Sequence, residues 1–293
     1  MQKMQTWQED RSFSTQGNRK ESRGNKGEEE AGGSRRSGRP GRSGGEAGQE
    51  VTSVFYADVL RAYANLTGVL RFWAISNLVL RQAREQLDPQ RRGIELSIAR
   101  CLPPRNGKKI RSMHECMRIA TWERQGEDTL LFLGAESLAG YAVSMGRPSV
   151  IQNLAQIGSN GSGVECRDSM HEQSMAAYPV MRAERIAGCL VAASAQPDYF
   201  LETERLQQLQ RYTEVIALAF EPEEFYSNEC IELCVMPSED VQLHHLAGMQ
   251  QRIARIMAES VVESRPINSM EAERLAWQQF EEELFQRPYI FEE

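Results

Sequence analysis

Cysteine and histidine are the side chains of this 293-residue chain best suited to chemistry, and there are six and four of them. A thiolate nucleophile needs exposure and a nearby positive charge or base. Cys166 has Arg167 beside it and His171 shortly after, and it is the one cysteine whose local sequence offers both. Cys101, at the end of an expected strand, would be its resolving thiol, but nothing in the sequence brings the two together. Cys116 and Cys189 fall in expected extended segments and read as packed thiols. Cys230 and Cys234 form a C-x3-C pair, for which only His244 and His245 offer further metal ligands nearby. Adjacent residues on a helix diverge by about 100°, so one ion cannot readily take both imidazoles, and no metal site is expected. Phosphate-binding loops, dinucleotide fingerprints and zinc-protease helices are missing. No histidine-kinase or diguanylate-cyclase output motif is present. No residue set announces a reaction, and scattered cysteines point to reduced thiols in a cytoplasmic setting.

The elements that would position these residues begin after residue 50. Residues 1–50 are nearly devoid of apolar side chains and too polar to offset their ordering entropy, so a disordered tail is expected there. The tail carries a net charge of +2, which leaves −9 on the remainder of a chain whose net charge is −7. An acidic folded part argues against a nucleic-acid surface. Apolar runs are far shorter than the roughly 20 residues of a spanning helix, and no membrane association is expected.

Residues 51–88 read as one long helix. Phe55, Val59, Ala62, Leu66, Val69, Trp73, Ser76 and Leu80 alternate steps of four and three, the spacing of a heptad seam. A second stripe through Tyr56, Leu60, Tyr63, Leu70 and Leu78 widens the apolar face. The expectation is a homodimer through Phe55, Val59, Leu66, Val69, Trp73 and Leu80. Burial of both stripes within one chain is the competing reading.

Residues 89–222 read as a mixed domain. Residues 94–101 alternate as a strand, and 110–122 continue as an extended segment. A short helix over 135–145 ends at Gly146, followed by Pro148 and a strand over 149–154. Residues 174–181 and 186–194 pair as a hairpin. An amphipathic helix over 202–220 stops at Pro222. Residues 223–293 read as a helical extension, with one helix from Ser238 to about Ser260 and a last helix starting at Asn268 with Glu271.

The ordered pieces Leu138-Ala139-Gly140, Gly146-Arg147-Pro148, Tyr178-Pro179-Val180 and Ile186-Ala187-Gly188-Cys189-Leu190, with Phe200 before the last helix, resemble a GAF domain. The resemblance spans roughly residues 93–220. It implies an α+β fold, an antiparallel sheet of five or six strands flanked by helices. It also implies a small-molecule pocket in front of the sheet, here bounded by Leu138, Tyr141, Val150, Tyr178 and Val180, and dimerising helices behind it. The function implied is a non-catalytic sensory or signalling module that binds a small molecule, a protein partner, or both, with a downstream effector protein. The alternatives are a thiol enzyme of the free methionine sulfoxide reductase kind and a ligand-free scaffold. The cyclic-nucleotide NKFDE set has no counterpart here. Cys166 and His171 do not match the surroundings of a bilin attachment site. The cofactor stays unassigned.

Overall fold

Ile94–Cys101 forms β1, the strand on which the rest is assembled. In the computed structural model, residues 53–104, 109–122, 130–156, 171–246 and 248–286 are described, all within one unit, Ala47–Glu293. The tail over residues 1–50, expected to be disordered, lies outside the described residues. β1 pairs on one side with β2 (Met113–Ala120) and on the other with β6 (Arg185–Ser194). β3 (Phe132–Leu133) adds to β2, while β5 (Ser174–Arg182) and β4 (Ser149–Ile151) follow β6. The sheet has the order β3-β2-β1-β6-β5-β4 and every pair is antiparallel. This is the α+β architecture expected, with six strands.

Both faces of the sheet are covered. One face carries Leu96, Ile98, Ala176, Tyr178, Val180 and Leu190 and packs on α1 (Ser53–Asn65), α2 (Gly68–Leu87) and α4 (Thr203–Ile216). The other carries Ala99, Cys101, Ala177, Cys189 and Val191 under α3 (Leu138–Met145). Successive strand residues point to opposite faces, which separates the two sets. A register shift in the β1–β2 pairing breaks that alternation in β2. Ala99 faces Glu115 and Ile98 faces Met117, so Cys116 is the extra residue of a bulge. Glu115 and Arg118, three apart, therefore reach the same face.

The single long helix expected over residues 51–88 is two helices. A continuous helix would hold Phe55 and Gln86 about 46 Å apart. Instead the Phe55 ring lies 6.2 Å from that of Tyr212, whose hydroxyl donates to Gln86 Oε1 at 2.6 Å. α1 folds back along α2. The break falls at Thr67, which is extended, and Gly68, at φ 54°, a backbone state that costs glycine little. The carboxylate of Glu221 secures it, accepting from Gly68 N at 2.7 Å and from Arg71 Nη1 at 3.0 Å. At the far end of α2, Asp88 accepts from the amides of Arg92 and Gly93 and from the Thr121 hydroxyl, tying the helix to β1 and β2.

After α4 the chain crosses the sheet as a strap. Tyr226 bridges Ile186, Ile231 bridges Ile110, and Cys234 bonds through its backbone to Arg111 and Ala135. The helix expected from Ser238 to about Ser260 is α5 (Glu239–Leu246) and α6 (Met249–Val262). α7 (Ser269–Gln286) starts where expected, with Asn268 Oδ1 accepting from Glu271 N at 2.8 Å. These helices cover the β3 edge. The Gln242 side chain bonds to both the amide and the carbonyl of Phe132, and Phe132 packs against Trp277 and Phe280. An uncovered edge strand would leave such backbone groups open to another chain. No helix among the described residues is long and apolar enough to cross a membrane.

Candidate functional site

β1 reads Ile-Glu-Leu-Ser-Ile, apolar on one face and polar on the other, although both faces are buried. The polar face opens onto a cavity of about 60 Å³ between the sheet and the first turn of α3. Glu95 and Ser97 of β1, Glu115 of β2 and Glu172, just before β5, line its polar side. Their exposures are 5%, 5%, 2% and 8%. Leu133, Leu138, Met175 and Val191 are among its apolar walls. Arg118 stands opposite Ser97 in the strand pairing and forms ion pairs with Glu115 and, at 3.3 Å, with Glu95. Burying these charges is tolerable only because they are paired with one another.

α3 is held at the mouth of the cavity by its own N-terminus. Ser137 Oγ accepts from Gly140 N at 2.9 Å and donates to Gly134 O at 2.8 Å. Gly140 has no room for a side chain, since a Cβ there would stand 1.8 Å from Gly134 O. Glu136 accepts from Gly134 N and from Met236 N, both at 2.8 Å, which joins this turn to the strap. The helix ends at Gly146, φ 61°, as its sequence suggested.

The five residues expected to bound a pocket do not converge. Leu138 lines the cavity. Tyr178 and Val180 face the opposite side, in the core with the α1, α2 and α4 helices, and Val150 packs there too. Tyr141 is half-buried on α3 and outside the cavity lining. β5 is apolar on both faces, so its alternation could not say which face was which. The residues that do line the cavity were missed. Their signal was the polar face of β1 in a strand with covered neighbours on both sides.

The expected dimer seam also divides. Phe55, Val59 and Leu80 are buried within the protomer, Leu66 and Val69 are half-buried, and Trp73 is exposed. Of the second stripe, Tyr56, Leu60, Tyr63 and Leu70 are exposed.

Cys166 lies outside the described residues. His171 is exposed, with its ring 6.0 Å from that of Trp122. Cys101 and Cys116 are buried, and burial pushes each thiol up to about 12, so neither is a thiolate at neutral pH. Burial raises Cys189 as well. Cys230 is exposed and Cys234 half-buried. Among the described residues no group of three or more His, Cys, Asp or Glu side chains could hold a metal ion. One further pair escaped the sequence reading. The His114 ring stacks 4.9 Å from that of Trp277, and its Nε2 is 3.3 Å from Cys116 Sγ. Burial, and then the Arg100 guanidinium, hold this imidazole down to about 3, so it is neutral.

A six-stranded antiparallel sheet with a helical layer on one face and a short helix over a cavity on the other is a GAF-like fold. No family model matches the chain, and no curated protein matches it. Solved structures do. The chain is similar to a free methionine-R-sulfoxide reductase from Neisseria meningitidis in complex with its substrate, with 14% identity, 57% of this chain and 89% of that one covered, and a TM-score of 0.39. It is similar to the GAF domain of an Acinetobacter phosphoenolpyruvate-protein phosphotransferase, with 13% identity, 58% and 93% covered, and a TM-score of 0.40. It is also similar to a red/green cyanobacteriochrome in its red light-absorbing state, with 15% identity, 50% and 92% covered, and a TM-score of 0.37. Likenesses this distant assign no activity.

Proposed function

We propose that this protein is a non-catalytic, ligand-binding module of the GAF type, whose front cavity takes a small molecule. The observation that carries the reading is the cavity itself, a concave apolar space with a few convergent polar groups, the mix expected of a small-molecule site. Cys101, the thiol weighed as resolving partner, is buried with its thiol pushed up to about 12, which disfavours that role. The C-terminal helices serve as the route to an effector protein, through the Glu136 contact that links the cavity rim to the strap.

Pairing with a second copy belongs to the same proposal, with Trp73 kept from the seam first expected and the other contacts drawn from the second stripe. Phe55, Val59 and Leu80 are used up inside the protomer. Tyr56, Leu60 and Tyr63 of α1, with Leu70 and Trp73 of α2, remain exposed on the helical hairpin. Sedimentation of the wild type and of a Leu60→Glu/Leu70→Glu variant tests this. A wild type already monomeric at tens of micromolar, near typical dimer affinities, removes the dimer.

Native mass spectrometry of the purified chain, followed by thermal-shift screening of small metabolites, tests the binding reading. A retained molecule, or a stabilising compound whose effect disappears in the cavity-filling variant Ala193→Leu, is expected. A protein that retains nothing and responds to nothing overturns it.

A further inference from the structure

We infer that a second ligand site, separate from the front cavity, lies at the end of α2 and takes a small oxyanion, a phosphate or carboxylate group. The site is a surface hollow of about 230 Å³, against about 60 Å³ for the front cavity. Its wall combines Arg84 and Glu85 of the last turn of α2, Asp88 and Arg91 of the turn into β1, and Thr121 just past β2.

The polar groups of this wall divide into committed and uncommitted ones. Asp88 is 7% exposed, and its carboxylate accepts from Arg92 N at 2.6 Å, from Gly93 N at 2.9 Å and from the Thr121 hydroxyl at 2.7 Å. The Thr121 oxygen in turn accepts from Ile94 N at 2.8 Å. Arg84 is half-buried and Arg91 exposed, and neither guanidinium has a hydrogen bond or ion pair with another described residue.

Arg84 is the exception of its kind. Every other half-buried arginine among the described residues, Arg71, Arg100, Arg111, Arg118, Arg205 and Arg252, is paired with a glutamate. A guanidinium drawn part-way out of water loses hydration that only an acceptor replaces. The helix dipole accounts for a positive charge in the last turn of α2, but it gives the guanidinium no such acceptor.

The geometry of the group selects the guest. A guanidinium offers five N–H donors in a planar fork, which matches two oxygens of a carboxylate or phosphate. Two guanidinium groups on one hollow repel each other, and an anion bound to both removes that repulsion. Glu85 is the competing acid. It is exposed and has no ion pair with another described residue, and a pair formed in solvent contributes little, so it does not hold the arginines against a guest.

Calorimetric titration of the full chain at low ionic strength tests the inference, with sodium phosphate and sodium acetate as the two oxyanions and sodium chloride as the control. Heat of binding is expected from phosphate, acetate or both, and none from chloride; the oxyanion that binds names the group. Arg84→Gln and Arg91→Gln should each weaken that binding about tenfold or more, the range for a lost charged hydrogen bond. Arg91, at an exposed position, reports on the site if Arg84→Gln folds poorly. Glu85→Gln should tighten the binding about threefold by removing a like charge. The front-cavity variant Ala193→Leu should leave it unchanged, so the failure of this site and the failure of the proposed function are read separately. Chloride binding as strong as that of the oxyanions overturns the choice of guest. Oxyanion binding unchanged in both arginine variants, or weakened in Glu85→Gln, overturns the site. No heat from either oxyanion up to about 10 mM overturns the inference as a whole.

Discussion

The side chain of Glu136 accepts the backbone N–H of Met236 at 2.8 Å, across a hundred residues of sequence. Glu136 precedes Ser137, the N-cap of the helix over the cavity, and Met236 precedes the first of the C-terminal helices. Met236 is itself buried against Leu102, Phe132 and Trp277. Glu136→Ala removes two hydrogen bonds from amides to a carboxylate. It is expected to lower unfolding stability by about 2–4 kcal/mol, read by urea denaturation. Hydrogen exchange at residues 231–237 should accelerate in the same variant. Unchanged exchange there would mean the strap is held by its backbone bridges alone.

Glu221 and Gly68 make a second test. If the carboxylate secures the helix break, Glu221→Ala should cost about 1–2 kcal/mol, in the range of a lost helix cap. Gly68→Ala should cost about 1 kcal/mol or more through the positive φ alone. Both are read as shifts in the urea midpoint. A stable Glu221→Ala protein would assign the break to Gly68 without tertiary help.

The β5–β6 hairpin turns through Ala183 and Glu184, at φ 48° and 62°. Two successive positive φ values mark a turn that favours Asn-Gly. The double substitution Ala183→Asn/Glu184→Gly should raise stability by about 1 kcal/mol, seen as a higher melting temperature.

His114 gives a pH dependence of known sign. Its folded pKa lies at about 3, below the ordinary value of 6.5. The unfolded chain therefore binds the proton first as pH falls, and stability drops from about pH 6.5 downward until the folded state titrates too. Urea midpoints at pH 7 and pH 5 should diverge more for wild type than for His114→Phe. Equal divergence would assign the acid sensitivity to other groups.

Thiol reactivity separates binding from catalysis. Cys230, exposed, should react with a disulfide reagent in the native state, while Cys101, Cys116 and Cys189 stay silent until unfolding. A thioredoxin-coupled assay with free methionine sulfoxide should show no turnover. Turnover abolished by Cys166→Ser would move the protein to the enzymes.

The sequence by itself determined what depends on neighbours along the chain. β1 was legible because Ile94–Cys101 alternates, and the β5–β6 hairpin because two such runs flank a four-residue gap. α3 was legible from its glycine stop, and α7 from its Asn268 cap. Those signals are local, and they sufficed for the α+β class. Tertiary structure decided whatever depends on a partner far along the chain. α1 and α2 part at Gly68 because Glu221, 153 residues later, takes the amide that a continuous helix would have used. The bulge at Cys116 turns Arg118 to the side of Glu95 and Glu115, which no periodicity shows. Tyr178 and Val180 went to the helical face, which β5 could not announce because it is apolar on both sides. Periodicity divides a strand into two faces. Only the packing of the helices against the sheet says which face closes into core and which keeps a cavity.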